Sequence, residues 1–305
     1  MEKLPFVFME RVVSLLPMDP IRIHKLFTPV GGLWETAAAD LEANYHSVKV
    51  LISPGTNSMS VTKMSSEHNV EVFEEPNKYT LDLSIDISDI DFKMEMPNPQ
   101  PITEKRLKQI LKLPSTGGNR SKFKVQEVSP RQNDVFDFGG LLRNLKTPFA
   151  EVTMWSCRGY FQEVEEFFRN LIPKRTCFKF TFLFVDLTPI CADLLLNAWD
   201  TWHRKQESII IKDCSQMLKN AHISRVLDGW CEGRGGRVLR TSPVVFADID
   251  KFFKTFEIKE PNWTVEFQER TAWFHVYYLI THLKTETTIH VRYLQDMLEL
   301  KRTAF

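Results

Sequence analysis

The chain lacks the marks of a membrane-spanning, secreted or nucleic-acid-coating protein. No stretch approaches the roughly 18 uncharged apolar residues that a membrane-spanning helix needs, and the most apolar run, residues 177–185, is interrupted by Lys179. An excess of one charge is missing too, since 39 basic residues stand against 39 acidic ones. A surface that coats nucleic acid carries a basic excess, so neither nucleic acid nor a membrane is expected as a partner. Cysteine is sparse: Cys157, Cys177, Cys191, Cys214 and Cys231 are odd in number, spread widely and without a CxxC pair. That usage fits buried thiols in a reducing compartment better than a disulfide framework or a zinc site. Near the amino end Glu10 and Arg11 cut the apolar run shorter than a secretory leader requires. The protein is therefore expected to be intracellular, cytoplasmic or nuclear, where the sequons at Asn119 and Asn262 are chance matches.

Signatures of catalysis are equally thin. Of 12 glycines, eight sit in doublets at 31–32, 117–118, 139–140 and 235–236, where they mark turns. The run Gly233 to Gly236 lacks the strand-to-helix context of a phosphate cradle, and no Gly-x-Ser-x-Gly elbow occurs. His275, His282 and His290 are separated by seven and eight residues, which suits a shared metal poorly. Cys214, next to Asp213 and upstream of His222, is the one pairing that resembles a nucleophile with its base. No catalytic, cofactor or metal site is expected, and the protein is read as a non-enzyme.

What is present is a globular composition: 43% apolar and 12% aromatic residues provide for a buried core. The most informative stretch is 4–34, LPFVFMERVVSLLPMDPIRIHKLFTPVGGLW. Phe8, Val12, Leu15 and Leu16 fall on one face of a helix. Pro17 and Pro20 break it, and Asp19 between them suits the cap of a second short helix through Leu26. Pro29 and the Gly31-Gly32 pair interrupt the pattern before Trp34. Three helices in about 30 residues cannot enclose a core of their own, so they must pack on the rest of the chain or on another protein.

Past Ala43 the pattern turns to strands. Residues 47–52 read as one, closed by Pro54-Gly55. Leu81, Leu83, Ile85 and Ile87 alternate with Asp82, Ser84 and Asp86, which assigns those acids to a solvent face; with Asp89 and Asp91 they lack the glycine turn of a calcium loop. A helix is expected over 103–113 and an exposed loop over 115–121, with no clear pattern from there to Pro148. Strands at 149–155, 177–185 and 207–212 then alternate with helices. Phe178, Phe180, Phe182 and Phe184 share one side of the second strand. The helices carry Phe161, Val164, Phe168 and Leu171, then Ile190, Leu194, Ala198 and Trp202, then Ile223, Val226, Leu227 and Trp230. A period of 28 to 30 residues suggests stacked strand-helix units or a small α/β sheet. Strands at 263–267, 273–280 and 287–293 would form an antiparallel end. Trp273, Phe274, Tyr277 and Tyr278 occupy both faces of one of them, and Arg234, Arg237 and Arg240 make a basic cluster suited to an acidic or phosphorylated peptide.

Leu4-Pro5, Val12, Leu16, Asp19 with Ile21, and Trp34 resemble a divergent F-box. Val7 stands where an acid is usual, and Pro29 and the glycine pair intrude on the third helix. The run 207–239 is similar to the associated region of nematode F-box proteins: Ile209 to Asp213 as a strand, a helix ending Leu227-Asp228-Gly229-Trp230, then a further strand. The resemblance implies an α+β chain, with an F-box-like helical module over 1–45 and a substrate-recognition domain over 46–305. That domain would combine repeated, leucine-rich-repeat-like strand-helix units or an α/β sheet with antiparallel C-terminal strands. It also implies a cullin-RING (SCF-type) ubiquitin-ligase adaptor. Leu4, Pro5, Phe8, Val12, Leu15, Leu16, Ile21 and Trp34 would dock a Skp-type adaptor of the cullin complex, and the larger domain would hold a protein substrate. The alternative expectation is an interaction module whose degenerate F-box has no ligase role.

Overall fold

The computed structural model describes residues 9, 12, 25–63, 79–88, 96–111, 121–128, 136–174, 176–201, 207–215, 218–242, 249–259, 261–270, 275–283, 287–294 and 297–303. It is a mixed α and β chain whose last four strands run antiparallel. It divides into two compact units, Met1–Val152 and Thr153–Phe305.

In the first unit α1 (Gly32–Asn44) passes without a loop into β1 (Tyr45–Ser53), and a turn leads back along β2 (Ser58–Lys63). After β3 (Tyr79–Ser88) come β4 (Gln100–Pro101), α2 (Glu104–Leu111), β5 (Lys122–Gln126) and α3 (Phe138–Asn144). The strands lie in the order β4-β2-β1-β3-β5, and β3 is parallel to both its neighbours. Alternate residues Val48, Val50 and Ile52, Leu83, Ile85 and Ile87, and Phe123 and Val125 form the core. The helices are capped locally. Thr103 Oγ1 accepts the Arg106 N–H at 3.3 Å, and Asp137 Oδ1 accepts the Gly140 N–H at 2.7 Å.

Three expectations change here. Asp86 is not on a solvated face. An interior strand is flanked on both edges, so its acid is half-buried between Leu51 and Lys124 in register, and burial raises its pKa. Ser121, expected in an exposed loop, is fully buried; its hydroxyl accepts the Leu83 N–H at 3.2 Å and its carbonyl the Ala150 N–H at 2.8 Å. The stretch before Pro148 that showed no pattern contains β5 and α3. Leu81 and Asp82 lie in β3 with side chains outside the description, as do Asp89 and Asp91 altogether.

In the second unit β6 (Glu151–Trp155), which straddles the division, leads to α4 (Phe161–Leu171), a short turn of 3-10 helix (Ile172–Lys174), β7 (Lys179–Leu183), α5 (Pro189–Asp200), β8 (Ser208–Lys212), α6 (Asn220–Cys231) and β9 (Val238–Ser242). Then come α7 (Ile249–Lys259), β10 (Trp263–Arg270), β11 (His275–His282), β12 (Thr288–Leu294) and β13 (Met297–Thr303). The strand order is β6-β7-β8-β9-β13-β12-β11-β10. Strands β7, β8 and β9 are parallel, and β13 returns antiparallel along β9 to join the final meander.

Each of the first three strands ends the same way. Ser156, Phe184 and Asp213, 28 and 29 residues apart, have φ of +54°, +55° and +51°. Their N–H groups donate to Leu183, Lys212 and Ser242 carbonyls on the next strand at 2.8, 2.9 and 3.0 Å. Three residues later Gly159 N–H donates to Asp186 at 2.7 Å, and Leu187 N–H to Ser215 Oγ at 2.8 Å. A left-handed residue without a glycine's freedom costs about 1–2 kcal/mol, and these rungs hold it there.

That turn explains one departure from the sequence pattern. Phe180 and Phe182 are buried, but Phe184 is 37% exposed because the chain leaves the strand before alternation can return it to the core. Phe161, at the first position of α4, is also exposed, while Val164, Phe167, Phe168 and Leu171 are buried. Helix α5 turns a different face inward than expected: Cys191, Leu195, Ala198 and Trp199 are buried and Ile190 is exposed. With three successive leucines its apolar residues do not select a face. Its start is fixed by a cap, since Thr188 Oγ1 accepts the Cys191 N–H at 3.3 Å and Pro189 takes the first turn. Helix α6 buries Ile223, Val226, Leu227 and Trp230, as the spacing predicts. Trp230 donates to Gly236 O at 2.8 Å and lies 5.7 Å from Trp199.

Candidate functional site

Of the expected docking residues, Leu4, Pro5, Phe8, Leu15, Leu16 and Ile21 lie outside the described residues. Val12 is helical and half-buried, and Met9 nearby is fully buried. A helical turn at 25–27 is closed by Val30 and Gly31 N–H groups donating to Phe27 O at 3.0 and 3.2 Å. Gly31 and Gly32, with φ of +65° and +61°, then redirect the chain into α1. This reversal stacks Phe27 on Trp34, ring centroids 5.5 Å apart and 10° from coplanar. Around the stack Leu26, Val30 and Leu33 are 52%, 54% and 45% exposed. Three large exposed apolar side chains within eight residues are more than scattered surface leucines. The helical pattern in the sequence did not single them out, because they flank the proline and glycine break rather than share a periodic face.

The second surface belongs to the sheet of the second unit. Val152, Met154, Phe180, Phe182, Ile209, Ile211, Leu239, Leu298 and Leu300 are buried on one face. The residues between them make the other, less covered face. Register fixes its rows: Thr181, Ile210, Arg240, Glu299, Arg292 and Tyr277 lie across β7, β8, β9, β13, β12 and β11. Lys179, Ser208, Val238, Lys301, His290 and Leu279 form the adjacent row. Arg240 Nε donates to Glu299, Arg292 approaches the same carboxylate at 3.9 Å, and the Arg292 guanidinium stands 5.9 Å over the Tyr277 ring. The Tyr277 hydroxyl bonds His290 Nδ1. Burial, with Lys301 and Arg292 adding to it, lowers the His290 pKa.

The remaining sequence candidates separate. Cys214 donates to the Phe182 and Lys212 carbonyls at 3.6 and 3.4 Å, and burial pushes its pKa up to about 11, the opposite of an activated thiol. His222 Nδ1 instead accepts the Lys219 N–H at 3.0 Å at the start of α6. Arg234 is tied to Glu232 in a loop, whereas Arg240 faces the open side of the sheet, so the basic cluster is dispersed. Trp273 and Phe274 lie outside the described residues, while Tyr278 is buried against Phe253 at 5.0 Å. A cavity of about 460 Å³ beside α7 is walled by Phe253, Val265, Phe267 and Tyr278. Its acids hold helix to sheet, Asp250 accepting from Tyr278 and Glu257 from the Val265 N–H at 3.0 Å. Among the described residues no cluster of His, Cys, Asp and Glu suits a metal, and no helix is long and apolar enough to cross a membrane.

No protein-family model, curated protein or solved structure matches the chain.

Proposed function

We propose that this protein is a substrate-recognition adaptor of a cullin-RING ubiquitin ligase, docking a Skp-type adaptor through its N-terminal helices and a target protein through its second unit. The F-box-like order of Leu4-Pro5, Val12, Leu16, Ile21 and Trp34 motivates the reading. The observation that carries it is the exposure of Leu26, Val30 and Leu33 around the Phe27–Trp34 stack. Apolar side chains left in water beside a stacked aromatic pair gain about 25 cal/mol per Å² when a partner covers them. The recurring strand ends at Ser156, Phe184 and Asp213 support stacked strand-helix units of the leucine-rich-repeat kind, whose exposed strand face is a binding surface. The mechanism is proximity: holding a target beside a ubiquitin-charged enzyme raises the effective concentration of its lysines, with no bond chemistry on this chain.

Co-purification with a Skp-type adaptor tests the reading. The full chain should elute as a complex, and Leu26→Asp with Leu33→Asp should abolish it without loss of circular dichroism. Leu16→Asp, inside the F-box-like pattern, should do the same. Absence of a complex with the unaltered chain would leave an interaction module with a degenerate F-box.

A further inference from the structure

The open face of the second unit's sheet carries one cation on each of five adjacent strands. These are Lys179 on β7, Lys212 on β8, Arg240 on β9, Lys301 on β13 and Arg292 on β12. Among the described side chains, acids there are few and occupied. Glu299 is enclosed, 11% exposed between Arg240 and Arg292, which are themselves 49% and 66% exposed. Glu266, on the outermost strand β10, accepts from Gln268 at 3.2 Å. The chain as a whole has no net charge, so this stripe is a segregation of charge rather than a general basic character. No two of the five stand directly opposite one another in register, so they add up to one positive field over the face, which attracts an anionic partner.

We propose that this face binds an acidic, extended peptide segment of a partner protein, laid across β7, β8, β9, β13 and β12. Strands lie about 4.8 Å apart, so five of them span roughly 19 Å, about six residues of extended chain at about 3.3 Å each. Such a segment brings every second side chain down on the stripe, and Arg240 and Arg292 offer planar forks suited to carboxylates. A single-stranded nucleic acid fits less well, because its bases need open aromatic faces on which to stack. The Tyr277 ring is capped by Arg292, and its hydroxyl is held by His290. The inference rests on the target-holding half of the proposed function and is independent of the ligase half.

The test is fluorescence anisotropy of the full chain with a labelled peptide of alternating Glu and Ser, about twelve residues long so that it overhangs the stripe. A Lys/Ser peptide and an oligo-dT strand serve as the comparison probes. The Glu/Ser peptide should bind, weaken steeply with added salt, and lose at least about tenfold in affinity to Lys212→Glu combined with Arg292→Gln. Lys212→Glu alone, at an exposed strand end, should lose part of that affinity with an unchanged melting curve. No binding of the Glu/Ser peptide at low salt, equal binding by the substituted chains, or binding of oligo-dT in its place would each overturn the proposal. The same variants should still co-purify with a Skp-type adaptor if the ligase reading is right, so failure of one idea is read separately from failure of the other.

Discussion

Arg240 of β9 lies directly across the strand pair from Glu299 of β13 and donates its Nε–H to that carboxylate, while Arg292 approaches from β12 at 3.9 Å. The three groups are not equivalent, since Glu299 is enclosed and both arginines reach water. Removing a donor from an enclosed carboxylate costs more than removing a solvated charge. Arg240→Ala should therefore lower the free energy of unfolding by about 1–3 kcal/mol, and Arg292→Ala by less than about 1 kcal/mol. Urea titration of both variants checks this, and equal losses would mean that Glu299 is hydrated.

Gly235 and Trp199 make a closer approach than any side chain would allow. Gly235 has a φ of +90°, and a Cβ there would run into the Trp199 indole. Gly233 has a φ of +75° but open space around it. Gly233→Ala should cost about 1 kcal/mol for backbone strain alone, and Gly235→Ala about 1–3 kcal/mol beyond that as the indole is displaced. Loss of tryptophan near-ultraviolet ellipticity in the Gly235 variant, and not in the Gly233 one, would identify the contact.

At the end of β6, Ser156 holds a left-handed backbone that glycine adopts freely. Ser156→Gly should be neutral to stabilising by about 0.5–1 kcal/mol, the strain relieved less the added chain entropy. Ser156→Val, β-branched and ill-suited to positive φ, should destabilise by more than about 1 kcal/mol. Thermal melts that moved both variants the same way would count against the strand-end geometry.

His222 and His290 share a direction. Burial foremost holds both below the ordinary histidine value. Lys219 and Arg225 add to this at His222 against an opposing Asp193, as do Lys301 and Arg292 at His290. The geometry agrees at His222, whose Nδ1 accepts a backbone N–H and so carries no proton. Between the lowered native value and about 6.5, where an unfolded histidine titrates, the unfolded chain binds more protons. Stability is thus present above that window and is lost as pH falls through it. Urea midpoints measured at about pH 7 and about pH 5.5 should fall on acidification, and His290→Gln should flatten part of the slope.

Much of the secondary structure was legible locally. A period-2 run located β3, and a 3.6-residue stripe located α6 with its inward face. The failures occurred where the periodic pattern did not carry the deciding contact. Asp86 alternates like a solvent residue, but parallel partners on both edges half-bury it. Phe184 continues an aromatic alternation, but a left-handed turn stops the strand before it. Helix α5 is apolar on most sides, so its period did not select the buried face. The exposed Leu26, Val30 and Leu33 belonged to no period and became visible only once Phe27 stacked on Trp34.

Composition and spacing alone determined that the chain folds as mixed α and β, that its thiols are spread without CxxC pairing, and that strand and helix alternate about every 28–30 residues from residue 149. These follow from side-chain chemistry and local backbone preference, which a sequence carries directly. Only the tertiary structure decided that Lys179, Lys212, Arg240, Lys301 and Arg292 share one sheet face. Up to 122 positions separate them along the chain, and strand register, set by hydrogen bonds between distant segments, is what brings them onto one face.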